Sequence, residues 1–504
     1  MIDVLVVAPN LAPFSGCDET AEAVAALAKA LRGLDRKVTV VSPLLCSVDP
    51  ARLALARRLT KLKCTLADTE YGCEVYDGRT AGGVDLTFIG HESLFSAADA
   101  LDSGDAEAHA TRLGVFAHAA AELIRVRKPK TLQLYGCIGS LTLRFLHGSG
   151  ALHGSGALHG SGALHGSGDT TEGNARAVLS LRSMAPSMDT NLSALLGLTA
   201  EESERCAVEG TLYPTLTGLP LAAHVVFQSP ARAMLAAQRG PAADHFSKLG
   251  HKLSGIVDGV DTAVWNPASD PELPSRYDPI DLTGKTRCKA ELQRSLEFPI
   301  RDEVPLFMSR LTRGRKDEAL WAEALPVLLR NDIQIALCVE EPKENLDSDE
   351  KTDAKTTIKQ LCDRFSDRLR LVEPSPSKVH RLFGAADSVV TTDPRSVADP
   401  MRAQRYGAPP VISIRNIPSD SVVDCDPHLQ SGTGFIYEAD DAKALTGAIQ
   451  RATAAFLNTK AFQALRKRVM RLDHCWDRSA RRYDQLYRQS ETKPAESASK
   501  LLVD

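Results

Sequence analysis

The tightest constraint on the fold lies in the first forty residues, where two strand patterns flank a helix pattern. Val4–Ala8 is a continuous apolar run closed by Pro9, as in a strand buried on both faces of a parallel sheet. Ala21–Leu31 is built from strong helix formers with apolar residues at helical spacing, and Gly33 ends it. Val38-Thr-Val-Val41 restarts a strand that Pro43 stops. Neighbouring parallel strands require a crossover, and a helical crossover covers the sheet, so this alternation predicts a doubly wound α/β fold.

The pattern returns further along. Ile333–Val339, Leu369–Val372, Ser388–Thr391 and Pro410–Ile414 read as strands, and Ser377–Ala386 as a helix. Two such series imply two Rossmann-like domains, and 504 residues exceed what one hydrophobic core usually supports. The expected division is a first domain over 1–250 and a second over 251–466, followed by a helix over 467–490 that returns to the first domain and a flexible tail over 491–504. The turn-rich stretch Trp265-Asn-Pro-Ala-Ser-Asp-Pro271 suits a hinge.

Composition narrows the function classes. Sixty Lys+Arg against 64 Asp+Glu give a net charge of −4, and aromatics are 5 %, which disfavours a dedicated nucleic-acid binder. No apolar run reaches the ~18 residues that span a bilayer, and the acidic start lacks the basic region of a signal peptide. Eleven scattered cysteines, with no C-x-x-C pair, do not read as a disulfide framework, so a reduced, cytoplasmic chain is expected.

From Leu146 to Gly168 the hexapeptide Ala-Leu-His-Gly-Ser-Gly recurs and places His147, His153, His159 and His165 six residues apart. Two glycines per repeat cost too much backbone entropy for a helix or strand, so a flexible surface loop is expected. Four imidazoles also offer metal ligands, but the loop reading is preferred and no metal is assigned.

Several longer strings resemble the bacterial glycogen and plant starch synthases. Ala8 through Leu31 follows that family's opening strand, loop and helix, and Leu253 through Pro271 follows its hinge. Ser309-Arg-Leu-Thr312 opens its second domain, and Arg405-Tyr-Gly407, Thr433-Gly-Phe435 and Trp476–Tyr483 follow its C-terminal half. The resemblance implies a GT-B fold, two Rossmann-like domains facing a central cleft. It also implies retaining transfer of glucose from ADP-glucose to an α-1,4-glucan, with no other cofactor. Such chemistry needs cations and bare backbone N–H groups around the departing diphosphate.

The aligned site positions depart from that requirement. The family's Lys-Thr-Gly-Gly falls on Gly16-Cys17-Asp18-Glu19, which removes a cation and adds two carboxylates. At ~4 Å and an effective dielectric of about 20, each close like-charge contact with a phosphate costs about 4 kcal/mol. Ser15-x-x-Asp18 reads instead as a capping box at a helix start. The family's histidine-rich cluster aligns with Gln133–Ile138, which includes Tyr135, Gly136 and Cys137, and its Thr-Val-His-Asn loop aligns with Ser180–Ser183, which includes Arg182. Arg310, Arg315 and Lys316 match the donor-binding Arg and Lys, while the family's Gly-x-Gly turn falls on Val339-Glu-Glu341. The catalytic-region glutamate falls on Pro394, flanked by Asp393, with Asp399 further on, and the nucleotide loop's glycines are lost at Arg415–Pro418, around Asn416.

A scaffold kept while its site residues change points to a synthase-like protein whose transferase site has decayed. The expected role is glucan binding, regulation or scaffolding, with an α-glucan or an active glycogen-metabolism enzyme as partner and neither nucleic acid nor membrane. The alternative is an active transferase with a remodelled site, in which Arg182, Arg310, Arg315 and Asp393 do the polar work.

Overall fold

A computed structural model describes residues 2–16, 18–148, 176–312, 316–340, 350–393, 396–414 and 419–492. The backbone divides into two compact units, the first running to Asp258 and taking up the chain again at Trp476, the second running from Gly259 to Cys475. The boundaries expected from the sequence lie nearby, at 250 and 466. Two pairings carry the observed division. Leu253–Gly255 adds a last strand to the first sheet, and the helix Thr459–Met470 packs within the second unit.

In the first unit, the sheet order is Leu253–Gly255, His224–Phe227, Arg176–Leu181, Thr131–Tyr135, Val4–Val7, Val38–Pro43 and Asp85–Gly90, all parallel. Thr69–Arg79 and Ala56–Arg57 extend that edge antiparallel, an extension that the parallel pattern did not anticipate. Val4–Val7 is buried at all four positions, the reason its sequence shows no alternation. The helix Glu19–Gly33 buries Val24, Leu27 and Leu31 against the sheet. It is capped by Asp18, whose Oδ1 accepts from Ala21 N at 2.8 Å, and not by Ser15. The Ser15 hydroxyl instead accepts from Leu11 N at 3.0 Å and closes the preceding turn.

The C-terminal helix Trp476–Thr492 packs on the helix Glu19–Gly33. Its Tyr483 and Tyr487 enter the core of the first unit. Buried hydroxyls require partners. Tyr487 donates to Gln133 Oε1 at 2.8 Å, Gln133 Nε2 donates to Ser180 Oγ at 2.7 Å, and Ser180 Oγ lies 3.2 Å from the Tyr483 hydroxyl. Gln133 and Ser180, which align with family site motifs, therefore dock a helix here.

The second unit is a six-stranded parallel sheet in the order Leu369–Val372, Gln334–Glu340, Leu306–Thr312, Ser388–Thr391, Pro410–Ser413, Phe435–Tyr437. Its expected strands and the helix Pro376–Ala385 lie within a residue or two of the sequence reading. Trp265 stacks on His380 at 4.0 Å, with the Arg402 guanidinium 4.3 Å from the indole ring. His380 Nδ1 lies 2.7 Å from Asp270 Oδ2, which also accepts from the Tyr406 hydroxyl. Burial works against ionisation of Asp270, but these hydrogen bonds prevail and hold its carboxyl below the usual carboxylate range. The stretch read as a hinge thus anchors a buried aromatic cluster in the second unit.

Candidate functional site

Open α/β sheets bind ligands beyond the carboxyl ends of their strands, where the strand order reverses. In the first unit that reversal lies between Val4–Val7 and Thr131–Tyr135, and in the second between Leu306–Thr312 and Ser388–Thr391. Among the described residues, Gly16, Asp18, Glu19, Tyr135, Gly136, Arg182, Arg310 and Asp393 lie at or just after the carboxyl ends of strands.

In the first unit, Gly16, Asp18 and Glu19 follow the first strand, Tyr135 and Gly136 end the Thr131–Tyr135 strand, and Arg182 follows Arg176–Leu181. Gly136 sits at φ +60°, a left-handed conformation that suits glycine, and it opens the helix that follows. Gly16 is likewise left-handed at φ +72°, against the Asn10 side chain, and Asn10 Nδ2 donates to Asp18 Oδ2 at 2.9 Å. Both Asp18 oxygens are thus engaged locally, one in the cap and one by Asn10.

Arg182 is claimed by carboxylates. Its Nη2 donates to Asp258 Oδ2, and its Nη1 lies 3.7 Å from Glu19 Oε2. Burial pushes the Asp258 carboxyl up, and Arg182 opposes that shift. Burial also pushes the Tyr135 phenol well above its usual range and the Cys137 thiol up to about 12. Both stay protonated at neutral pH, so neither supplies a ready nucleophile or base. Asp258 is a site residue that the sequence reading missed. It lies 76 positions from Arg182, and only its place just after the last strand marks it.

In the second unit, Arg310 is shared between two acids. Nη1 donates to Asp399 Oδ1 at 3.1 Å and Oδ2 at 3.2 Å, and Nη2 donates to Glu340 Oε1 at 2.6 Å. Asp399 also accepts from Arg402 at 3.0 Å. Asp393 is 5 % exposed, and Thr312 Oγ1 lies 3.5 Å from its Oδ2. Lys316 is exposed at the start of the helix Lys316–Leu328. Near the strand ends the buried hydroxyls of Ser309, Thr391 and Thr392 have no hydrogen-bond partner among the described residues.

Arg315, Pro394, Asn416, His153, His159 and His165 lie outside the described residues, as do 149–168 of the repeat loop and 493–504 of the tail. His147 is exposed at the end of the helix Gly136–His147. Among the described residues, no group of three or more His, Cys, Asp or Glu is placed to hold a metal ion, and no helix is long and apolar enough to cross a membrane.

The starch synthase catalytic domain family matches residues 3–134. A glycogen synthase of Anaeromyxobacter dehalogenans (strain 2CP-1) is 30 % identical over 97 % of this chain and 99 % of its own length. Glycogen synthase 1 of Geobacter sulfurreducens is 25 % identical over 96 % of each chain. Among solved structures, the catalytic domain of starch synthase IV from Arabidopsis thaliana, bound to ADP and acarbose, superposes with a TM-score of 0.81. That match is 20 % identical, covers 98 % of this chain and all of the other, and establishes a GT-B fold. The full-length sequence match carries the wider conclusion: the chain belongs to the glycogen and starch synthase family of glycosyltransferases.

Proposed function

We propose that this chain is a glycogen synthase relative whose donor site has lost its transferase function, and that it acts through glucan binding, regulation or scaffolding. One observation carries the reading. The two described arginines best placed for a sugar nucleotide, Arg182 and Arg310, each already hold two carboxylates of this chain. A diphosphate would have to displace those acids or sit beside them. Glu19 occupies a position aligned with a family glycine, and Glu340 lies in the stretch aligned with the Gly-x-Gly turn. Substitution has thus supplied internal counter-ions where the family offers open backbone to phosphate.

One observation favours the alternative of a remodelled active transferase. The hydroxyls of Ser309, Thr391 and Thr392, which meet no partner among the described residues, lie near the strand ends of the second unit, where a ligand has donors to meet.

Isothermal titration of the full chain with ADP-glucose, paired with incorporation of labelled glucose into glycogen, decides between them. Glycogen binding without ADP-glucose binding or incorporation supports the first reading. Incorporation that disappears in Arg310→Ala, with the circular dichroism unchanged, establishes the second.

A further inference from the structure

The second unit carries a concavity of about 360 Å³, within the size range of small-molecule pockets. Val260 and Thr262, from the segment entering the unit, line one part, and Arg471, Asp473 and His474, from the segment leaving it, line another, with Arg405 beside them. The two segments are joined by Val260 N donating to His474 O at 2.7 Å.

The charges in this pocket differ from those around Arg182 and Arg310. Arg405 Nη2 donates to Asn266 Oδ1 at 3.0 Å, and Nη1 makes a long contact of 3.5 Å with Met470 O. Arg471 is exposed, and among the described residues no carboxylate pairs with either guanidinium. His474 is fixed in orientation. Gln404 Nε2 donates to the carbonyls of Ser421 and Thr433, which leaves Gln404 Oε1 to accept from His474 Nε2 at 2.6 Å. Among the described residues, Asp473 is the single carboxylate of the lining.

Two guanidinium groups favour an oxyanion, which planar arginine forks bind well. A lone ion would leave most of the volume empty and would meet Asp473. A ligand with one phosphoryl group and a hydroxylated body fits the whole lining, with phosphate at the arginines and hydroxyls donating to Asp473 and pairing with Thr262. We propose that this pocket binds a small phosphorylated sugar, independently of whether donor chemistry survives elsewhere in the chain.

Isothermal titration of the full chain with glucose 1-phosphate, inorganic phosphate and glucose tests the assignment. Glucose 1-phosphate is expected to bind at one site, with phosphate and glucose each at least tenfold weaker. Arg471→Ala, which truncates an exposed side chain, is expected to weaken binding at least tenfold, and Arg310→Ala to leave it unchanged. Four results would overturn the proposal: no binding by the folded protein, phosphate binding as tightly as glucose 1-phosphate, Arg471→Ala without effect, or loss of binding in Arg310→Ala.

Discussion

Glu340 Oε1 lies 2.6 Å from Arg310 Nη2, across the neighbouring strands that pair Thr312 with Glu340 and Arg310 with Cys338. Arg310 has Asp399 on its other amino group, so its single charge faces two carboxylates. Of the two, Asp399 is 1 % exposed while the Glu340 side chain is 40 % exposed. Glu340 is therefore the acid whose removal disturbs least.

Glu340→Gln is expected to tighten ADP binding by a few-fold to about tenfold. The pair is partly solvated, so water screens much of the interaction, and ~1 kcal/mol is the scale for such pairs. Isothermal titration of wild type and variant against ADP measures the change. Equal affinities would show that Glu340 is not what keeps nucleotide from Arg310.

The Arg182–Asp258 pair predicts a stability effect. Both side chains are largely buried, at 17 % and 8 % exposure. Arg182→Ala leaves Asp258 without its cation and is expected to cost about 3 kcal/mol. Adding Asp258→Asn removes the orphaned charge and is expected to restore much of that loss. A double-mutant cycle in urea reads the coupling directly, and additivity within about 0.5 kcal/mol would mean that Arg182 does not depend on Asp258.

These pairs mark where sequence reading stops. Val4–Val7, Gln334–Glu340 and Ser388–Thr391 were legible because a strand buried on both faces must be apolar throughout. Asp18 and Ser15 were harder, since both suit a helix start and only the backbone geometry selects Asp18 as the cap. Asp258 was not legible at all, because its partner is distant in sequence and an isolated acid after a strand has no periodic signature. Gln133 carried a substitution signal without its cause, which is the hydroxyl of Tyr487 on a helix 354 residues away.

Tyr487→Phe leaves Gln133 Oε1 buried without its donor, and an unmet buried acceptor costs about 1–3 kcal/mol. The loss is expected to fall on the C-terminal helix, whose amides from Trp476 onward should exchange faster with deuterium than in wild type. Pairing it with Gln133→Leu removes the acceptor as well and should recover part of the protection. Unchanged exchange in Tyr487→Phe would show that apolar packing alone holds the helix.

Lys285 predicts a pH dependence of stability. It is 2 % exposed, donates to Tyr406 O at 2.8 Å and Gly384 O at 3.2 Å, and has no carboxylate within salt-bridge distance among the described residues. Burial, aided by the nearby Arg466, lowers its ammonium to about 7 from an ordinary 10.5. Between those values the unfolded chain binds more protons than the folded one, so stability rises with pH from about 7 to about 10.5. Below about 7 both states are protonated, and the folded state bears the full cost of a buried charge. Lys285→Met keeps the length of the side chain without its charge. It is expected to be more stable than wild type at pH 6–7, with the gap closing by up to ~1.4 kcal/mol per pH unit as pH rises. Denaturant unfolding of both proteins at pH 6.5, 8 and 9.5 measures this, and a gap that does not change with pH would place the Lys285 proton equilibrium outside the window.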